Sequence, residues 1–436
     1  MYSDKLSRPN WPVRGLAAIA CSALLTSAAL SQPAPQDTSL ELSTVLQRAV
    51  QSHPRLSAVQ AELAARRSEA RQAGLWDNPS LQAEIEDFGG DRGNIGDGDL
   101  TVSVRQTVPL GGDRRHARHA AEAWADVGAA QLNAETAGLL GAAATAFVDA
   151  RAAQETARVR ADLVDLAETA ASAIRRRVEA GRASPIDLDR ADILAATAEM
   201  NAASAGMEAR RAGLALAAVW DGTPEGDVSQ PPALLTRPYT DMQTPDAMML
   251  RNPDLVVARQ ISRARGEEIV RERAAAIPDI TVGAGLRRYG GDRETAYLAM
   301  VEMPIPVIDR NQGRIAAAAA RETGARLDEA ALRRQLLARH AAAFRRWHDA
   351  QQRHAALSES VLPAAQNAFS RASLAYREGA LQLLDLLDVQ RTYFDTRIQA
   401  IEARAELARA AIELDVLFGA PRLKQLAGIA GAEANP

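Results

Sequence analysis

The sequence contains a single cysteine, Cys21, among its 436 residues. One cysteine excludes an intramolecular disulfide and any zinc or iron–sulfur site built from several cysteines. Aromatic residues make up only 4% of the chain, and this scarcity, with abundant alanine, favours long helices over an aromatic-rich β core. The charges nearly balance, at 51 Lys and Arg against 55 Asp and Glu, so we expect no nucleic-acid partner.

Beyond residue 31, the sequence has no apolar run long enough for a helix that spans a bilayer. If the protein crosses a membrane, it must therefore use strands. A P-loop, an HExxH motif, a nucleophile elbow and a cysteine nucleophile are also missing. We expect no catalytic residue and no cofactor, and the protein is predicted not to be an enzyme.

Residues 1–31 have the composition of a cleavable secretory signal. Lys5, Arg8 and Arg14 precede a run of small apolar residues at 15–30. Cleavage near Ser31 would leave a mature protein without cysteine, as suits an oxidising compartment. A short internal helix and lipidation at Cys21 are the alternatives.

Landmarks recur at a nearly constant distance along the chain. The step His53-Pro54 returns as Asn252-Pro253, and Gly181 returns as Gly379, at offsets of 252 − 53 = 199 and 379 − 181 = 198 residues. Such regularity indicates two tandem copies of one unit. The predicted organisation is a signal peptide (1–31), a first copy (40–222), a Pro-rich linker (223–243), a second copy (244–419) and a C-terminal tail (420–436).

Each copy is predicted to begin with a helix and continue into a β-hairpin. In the first copy the helix runs over Leu42–Trp76, until the Asn78-Pro79 step ends it. Apolar and polar residues then alternate over 81–88 and again over 100–105, as in strands. The second copy repeats the alternation over 280–287, and less cleanly over 295–303.

Long helical hairpins are predicted after each β-hairpin. Asp113–Ala180 contains no proline and would form a helix of about 100 Å at about 1.5 Å per residue. A turn at 181–185 leads into a returning helix over Ile186–Trp220. The second copy repeats this hairpin around Gly379, with a possible kink at Pro363.

Two hairpins from one chain cannot close a membrane barrel, because the unpaired strand edges would face lipid. Four strands from each of three chains would give about 12 strands, which is within the range of outer-membrane barrels. A water-soluble α+β protein, whose hairpins cover a core, explains the periodicity equally well. In the barrel interpretation, the polar residues of the first hairpin face the lumen: Gln82, Glu84, Glu86, Thr101, Ser103 and Arg105.

The signal, the tandem copies and the order of elements resemble the TolC-type outer membrane factors. The segments 72–79, 84–90, 106–114, 177–185 and 304–313 are similar to the cobalt–zinc–cadmium resistance branch of that family, although Asp113 stands before the expected basic residue. The resemblance implies a mainly α fold with a small β part. Long antiparallel helical hairpins would form an α-barrel, and four β-strands per chain would complete a trimeric 12-stranded β-barrel.

The resemblance also implies a pore gate near the second helical tip. Asp385 and Asp388 are similar to the family's constriction carboxylates and share a helix face, so a threefold axis would assemble them into acidic rings. Tyr376 resembles a tyrosine that links neighbouring helix pairs, and Asp187 is its counterpart in the first copy. Solvated carboxylates and capping by Asp187 are the alternatives.

The helical tips resemble adaptor-docking surfaces, which would use Gly181 and Arg182 in the first copy and Gly379 and Ala380 in the second. Plain hairpin turns explain the two glycines equally well.

Metal ligation has little support in the sequence. His116 and His119 are spaced i, i+3 but have no third ligand nearby, so a packing or solvated role is favoured. Asp91, Asn94, Asp97 and Asp99 do not follow the spacing of a calcium-binding EF-hand, which favours a flexible extracellular loop. We therefore expect no metal site.

The leading hypothesis is the passive outer-membrane duct of a tripartite efflux system, extending into the periplasm and exporting divalent heavy-metal cations. Its expected partners are two further copies of itself, outer-membrane lipid, a periplasmic adaptor and an inner-membrane RND pump. The same duct carrying drugs or other small molecules is one alternative. A soluble periplasmic coiled-coil scaffold is the other.

Overall fold

The structure is a computed structural model that describes residues 39–89, 95, 98–223, 226–232, 244–290 and 294–429. The predicted signal peptide, Cys21, most of the linker, the loop residues Asp91, Asn94 and Asp97, and the end of the tail lie outside these residues. The first half of the described chain contains, in order, α1 (Leu42–Ser52), α2 (Pro54–Ala73), β1 (Ser80–Glu86), β2 (Asp99–Val108), α3 (Asp113–Glu179) and α4 (Pro185–Ala217).

The second half repeats this order and adds a terminal helix. It contains α5 (Pro245–Arg251), α6 (Pro253–Ala274), β3 (Ile280–Arg288), β4 (Thr295–Glu302), α7 (Gln312–Ala356), α8 (Leu362–Arg377), α9 (Leu383–Leu417) and α10 (Pro421–Leu426). The predicted mainly α fold with four short strands is confirmed.

The prediction of one continuous helix over Leu42–Trp76 is wrong, because the chain breaks at His53. The extended backbone of His53 places its side chain to accept a hydrogen bond from the Arg55 N–H, while Pro54 occupies the first turn of α2. Proline fits there because the first-turn N–H groups have no partner within the helix. Asn252 caps α6 in the same way, ahead of Pro253.

One other helix end differs from the predicted one, and the helix expected to kink at Pro363 contains a π turn. The helix expected over Ile186–Trp220 ends at Ala217, and a 3₁₀ turn continues to Trp220. Between α7 and α8, residues Leu357–Val361 form a π-helical turn directly before Leu362-Pro363. A π turn accommodates a proline that cannot supply the regular helical hydrogen bond.

The four strands form a single antiparallel sheet in the order β1-β2-β3-β4. The central pairing joins the two copies, with Val104 opposite Ala284 and Thr107 opposite Thr281. Among the described residues, β1 and β4 each have a hydrogen-bonded neighbour on one side only. The sheet therefore ends in two open edges.

The helices form two layers that follow the same lateral order as the strands. Next to the sheet, the order is α2-α3-α6-α7, so each strand continues into the helix that adjoins it in sequence. Further from the sheet, the order is α4-α3-α9-α8. The helix α3 extends through both layers, since its 67 residues span about 100 Å.

Two apolar clusters hold the layers together where they meet. One surrounds Phe147 and Leu140 of α3 and includes residues of α1 and α10. The other surrounds Trp347 of α7, with Met248 of α5 and Leu414 of α9. Away from these clusters, α3 and α4 pack through alanines, which allow close helix approach.

None of the helices in the described part of the chain combines the length and the apolarity needed to cross a membrane.

Candidate functional site

The two faces of the sheet differ in polarity. The register pairs Gln82 with Ser103 and Glu84 with Thr101, while Leu81 lies opposite Val104. Because side chains alternate between faces, the six polar residues predicted to line a lumen share one face of the sheet. They are Gln82, Glu84, Glu86, Thr101, Ser103 and Arg105.

The opposite face is apolar and exposed in the single chain. Leu81 is 73% exposed, Tyr297 88% and Val301 75%, and the branched side chains of β2 and β3 between them are also exposed. A row of this kind, running across all four strands, requires an apolar environment that the chain itself does not supply.

Strand β4 departs from the simple alternation of the other strands. Its register places Leu298 opposite Gly285 and Met300 opposite Gly283, which puts both side chains on the polar face. The weaker alternation noted over 295–303 thus reflects a real difference, because Leu298 and Met300 are apolar side chains on the polar face.

Sequence reasoning did not include Arg287 among the lumen residues. The register sets it opposite Thr101, and its guanidinium contacts Glu86 at 2.9 Å and Asp99 at 3.0 Å. Asp99, expected in a flexible loop, instead begins β2 and also accepts a hydrogen bond from the Gly290 N–H. The alternation over 280–287 was the signal that could have identified Arg287.

Two glycines bring β3 close to its neighbours on the polar face. A Cβ built on Gly285 would lie 2.8 Å from the Ser103 Cβ and 2.5 Å from the Val102 carbonyl oxygen. A Cβ on Gly283 would lie 2.8 Å from Cγ of Met300. Any larger residue at these positions would force the strands or side chains apart.

The junctions between strands and helices expose large apolar side chains. Trp76 precedes β1 and is 53% exposed, and its ring lies 3.6 Å from the guanidinium carbon of Arg114 at the start of α3. Ile277 before β3 and Ile308 after β4 are exposed at the same end of the sheet. Large apolar side chains are therefore exposed where the sheet meets the helices.

The two helical tips have the same backbone geometry. At the first, Gly181 adopts a φ of 69°, and the Arg182 N–H donates to the Arg177 carbonyl at 2.7 Å. At the second, Gly379 adopts a φ of 77°, and the Ala380 N–H donates to the Ala375 carbonyl at 2.8 Å. Both are Schellman turns, which need a residue that tolerates the left-handed region.

The tips lie at one end of the molecule. Leu383, at the start of α9, packs with Ile174 and Ala191 of the first helical hairpin, just beneath its tip. The tip residues Gly181, Arg182, Gly379 and Ala380 are all exposed, and a Cβ on either glycine would meet no atom within 4 Å.

The four predicted gate residues lie within about two turns of these tips. Asp385 and Asp388 are exposed near the start of α9, and no ion pair to either occurs within the described ranges. Tyr376 is half-buried in the last turn of α8. Asp187 is half-buried in the first turn of α4, but the capping oxygen there belongs to Ser184, which accepts from the Ile186 N–H.

Ion pairs connect α3 to α9 between the tips and the core. Asp149 contacts Arg409 at 2.8 Å, Asp162 contacts Arg397 at 3.1 Å, and Glu155 pairs with Arg404. Since the two helices run in opposite directions, the contacts form a ladder that fixes their register. Sequence reasoning missed this ladder, because its partners are more than 200 residues apart.

His116 and His119 lie one turn apart near the start of α3. His119 lies 3.6 Å from Glu122 on the same helix, and His116 is half-buried one turn earlier. In the part of the chain that the structure describes, no group of three or more His, Cys, Asp or Glu side chains could hold a metal ion.

The sequence matches a family model and resembles two metal-resistance proteins. A family model described as outer membrane efflux protein matches residues 45–222 and 244–420. The cobalt-zinc-cadmium resistance protein CzcC of Cupriavidus metallidurans is 29% identical over 384 residues, which cover 87% of this chain and 90% of that protein. The nickel and cobalt resistance protein CnrC of the same organism is 28% identical over 309 residues, covering 69% and 73%.

Solved structures share the same fold at low sequence identity. The outer-membrane channel OprN matches with a TM-score of 0.73 and 19% identity, over 87% of this chain and 90% of that one. At this identity the likeness concerns the fold alone.

Proposed function

The chain belongs to the outer membrane efflux protein family, and from this premise we propose that three copies form a passive conduit for divalent heavy-metal cations. Family membership makes the protein an efflux component of the outer membrane rather than an enzyme. The proposed conduit runs from the periplasm to the exterior.

The observation that carries this proposal is the incompleteness of the single chain. The sheet has an open edge at β1 and another at β4, and the helical layers end at corresponding edges. In lipid, each unpaired backbone group at such an edge costs several kcal/mol. Pairing β4 of one subunit with β1 of the next removes both edges, and three subunits with four strands each give twelve strands.

The two faces of the sheet suit this arrangement. The exposed apolar face would contact lipid, and the junction residues around Trp76 would lie at the membrane–water interface, where tryptophan is favoured. The polar face would then line a water-filled lumen with Gln82, Glu84, Glu86, Thr101, Ser103 and Arg105. Apolar residues on the inner face of β4 interrupt this lining.

The gate proposal follows from the position of the acidic residues at the tips. A threefold axis would bring three copies of Asp385 and three of Asp388 together, producing rings that attract cations. The repulsion among these carboxylates would resist complete closure. In this scheme, Tyr376 and Asp187 lie where α8 and α4 meet neighbouring helices.

The tips would dock the periplasmic adaptor through Gly181, Arg182, Gly379 and Ala380. Their open surroundings leave space for a partner helix turn. The sequence contains no nucleotide-binding motif, so an inner-membrane pump of the RND type would supply the energy. The names of the curated relatives, which refer to resistance to cobalt, zinc, cadmium and nickel, support a metal cargo.

Metal tolerance of a deletion strain tests the proposal. We expect the strain to become more sensitive to zinc, cobalt and cadmium, and to regain tolerance when the wild-type chain is supplied. A panel of organic drugs serves as the control, for which we expect unchanged sensitivity. Unchanged metal tolerance with increased drug sensitivity would contradict the metal cargo and favour a drug duct.

A further inference from the structure

The segment that joins β4 to α7 is longer than its counterpart in the first copy. Residues 303–311 connect these two elements, whereas only residues 109–112 connect β2 to α3. The longer segment has the sequence Met-Pro-Ile-Pro-Val-Ile-Asp-Arg-Asn. We name residues 303–311 the β4–α7 connector.

The first part of the connector is apolar and exposed. Ile305 is 77% exposed, Val307 68% and Ile308 88%. Pro304 and Pro306 have no N–H group, and the Val307 N–H donates to the Ile305 carbonyl at 2.9 Å. Because unsatisfied backbone donors are costly in an apolar environment, a segment with so few free donors can enter one more easily than an ordinary loop.

The connector forms one wall of a surface pocket of about 450 Å³. The other wall is residues 275–278, which lead from α6 into β3. Since β3 is the neighbour of β4 within the same sheet, both walls belong to one subunit. The pocket therefore lies inside the open edge that β4 leaves, not at that edge.

The junction in the first copy is closed by the chain itself. A Cβ built on Gly111 would lie 2.4 Å from the Ala274 carbonyl oxygen, so the short connection packs directly against the end of α6. The nearby Arg114 is stacked on Trp76. The longer connector of the second copy thus creates a feature that the repeat alone does not.

A basic side chain lies at the polar end of the pocket. Arg314 lines it, is exposed, and has no hydrogen-bond or ion-pair partner in the described part of the chain. Glu272 acts on Arg314 electrostatically, but it is already bound by Arg271 at 2.6 Å and by the Asn311 amide at 3.0 Å. These two hydrogen bonds hold the pKa of Glu272 below its usual value. The guanidinium of Arg314 is therefore free to bind a ligand.

This combination of groups indicates a ligand that is both apolar and anionic. Arg314 would repel a metal cation, and a small inorganic anion would gain nothing from Ile305 and Ile308. A guanidinium binds phosphate oxygens well, often through two parallel hydrogen bonds. A phospholipid with an anionic headgroup supplies both the phosphate and the apolar chains.

We propose that the pocket between the β4–α7 connector and residues 275–278 binds an anionic phospholipid. The phosphate lies on Arg314, and the acyl chains lie on Ile305 and Ile308. This inference rests on the proposed conduit, because a sheet that spans the outer membrane places its helical end at the periplasmic leaflet. One lipid per subunit would fix the depth of the conduit in that leaflet.

Quenching by labelled lipids tests this proposal. A fluorescent bimane is attached to Ile308→Cys, since the only native cysteine is Cys21 in the predicted signal peptide. The trimer is placed in phosphatidylcholine nanodiscs that contain increasing amounts of nitroxide-labelled phosphatidylglycerol or nitroxide-labelled phosphatidylcholine. We expect half-maximal quenching at about fivefold less phosphatidylglycerol, because one basic side chain near a headgroup favours an anionic lipid by about this factor.

Two matched comparisons locate the effect. Arg314→Gln in the labelled protein should remove the preference for phosphatidylglycerol, whereas Arg321→Gln, at an exposed site two turns further along α7, should keep it. A bimane on Leu110→Cys, at the exposed junction of the first copy, should be quenched equally by the two lipids.

The possible failures are distinguishable. A trimer whose label at residue 308 is quenched equally by both lipids, or keeps its preference in Arg314→Gln, would overturn the lipid site and leave the conduit intact. A trimer that neither lipid quenches would also overturn it, since the neighbouring subunit would then cover the connector. A chain that is monomeric in detergent and unquenched in nanodiscs would contradict both the lipid site and the conduit.

Discussion

At the scale of single residues, the arginine on the sheet and the carboxylates near the tips differ in whether they have an ion-pair partner in the described part of the chain. Arg287 on the polar face is neutralised by Glu86 and Asp99, so this cation already has its partners within the subunit. Asp385 and Asp388 have no such partner in the described part of the chain and face solvent. In the proposed conduit, their charge would be available to act on an ion at the tip.

Removing the two tip carboxylates should weaken the preference for cations. A carboxylate about 4 Å from an ion contributes on the order of 1 kcal/mol in water, which corresponds to about a fivefold change in relative permeability. We expect Asp385→Ala with Asp388→Ala to lower cation over anion permeability by at least about this factor and to raise single-channel conductance, as measured in planar bilayers.

Two further variants separate charge from size at the proposed gate. Asp385→Asn with Asp388→Asn keeps the side-chain volume, so it should lose selectivity with a smaller gain in conductance. Glu378→Gln removes an exposed carboxylate at the neighbouring turn and should change neither property. Unaltered selectivity in both double variants would exclude these aspartates from the gate.

Asp415 is a buried carboxyl group at the other end of α9. It accepts hydrogen bonds from the N–H groups of Arg422 at 3.2 Å and Leu423 at 3.1 Å, and so caps the start of α10. Burial raises the pKa of Asp415 from 3.8 to about 6, although the two N–H groups act in the opposite direction. The protonated carboxyl is therefore more favoured in the folded protein than in the unfolded chain.

The contribution of Asp415 to stability should be complete below pH 3.8 and lost as the pH rises through about 6. Asp415→Asn is neutral throughout, so its free energy of unfolding relative to wild type should increase between pH 4 and 7.5, by up to about 3 kcal/mol. Thermal unfolding followed by circular dichroism in detergent measures the difference. Asp328→Asn, at an exposed site on α7, is the control, and parallel curves for Asp415→Asn and wild type would contradict the prediction.

At the scale of the elements, short local signals determine where helices begin and how strands approach. His53, Ser184 and Asn252 each accept a hydrogen bond from a first-turn N–H and precede a proline, which stops the preceding segment and starts the next helix. In the sheet, the local signal is glycine, which has no side chain and so allows neighbouring strands and side chains to come close at Gly283 and Gly285.

Replacing Gly285 should disturb the pairing between β2 and β3. The new Cβ would meet the Val102 carbonyl oxygen at 2.5 Å, and backbone cannot move aside as a flexible side chain can. We expect Gly285→Val to cost about 1–3 kcal/mol and to lower the temperature at which the detergent-solubilised protein loses its β signal. Ala284→Val adds volume on the exposed apolar face and should be tolerated; equal losses in both variants would show that close approach at Gly285 is not the cause.

At the scale of the whole molecule, the sheet and the helical layers end at the same two lateral edges. One edge consists of β1, α2 and α4, and the other of β4, α7 and α8. Pairing one edge with the other is a head-to-tail contact, and head-to-tail pairing with a suitable rotation closes into a ring. The proposed conduit is the assembly in which both edges are satisfied.

Features that depend on neighbours within a few turns could be predicted from the amino-acid sequence alone. Alternation indicated the strands, the absence of proline over Leu110–Ser184 indicated the length of α3, and the polar residues from Gln82 to Arg105 were assigned to one face. Prediction failed at His53, where a cap and a proline break the helix that apolar periodicity alone predicts to be continuous. A helix-compatible pattern does not reveal a break that depends on a single side chain.

Which distant segments meet could be learned from the three-dimensional fold and not from local patterns. The order β1-β2-β3-β4, the ion pairs of Arg397 and Arg409 with α3, and the burial of Asp415 join residues that no local pattern relates. Large apolar residues recur every seven positions along α4, from Ile186 to Leu214, but only the structure shows that alanines on the other side of this helix are buried against α3. Periodicity states which face of an element is apolar, whereas packing across the fold decides which of those faces remains uncovered.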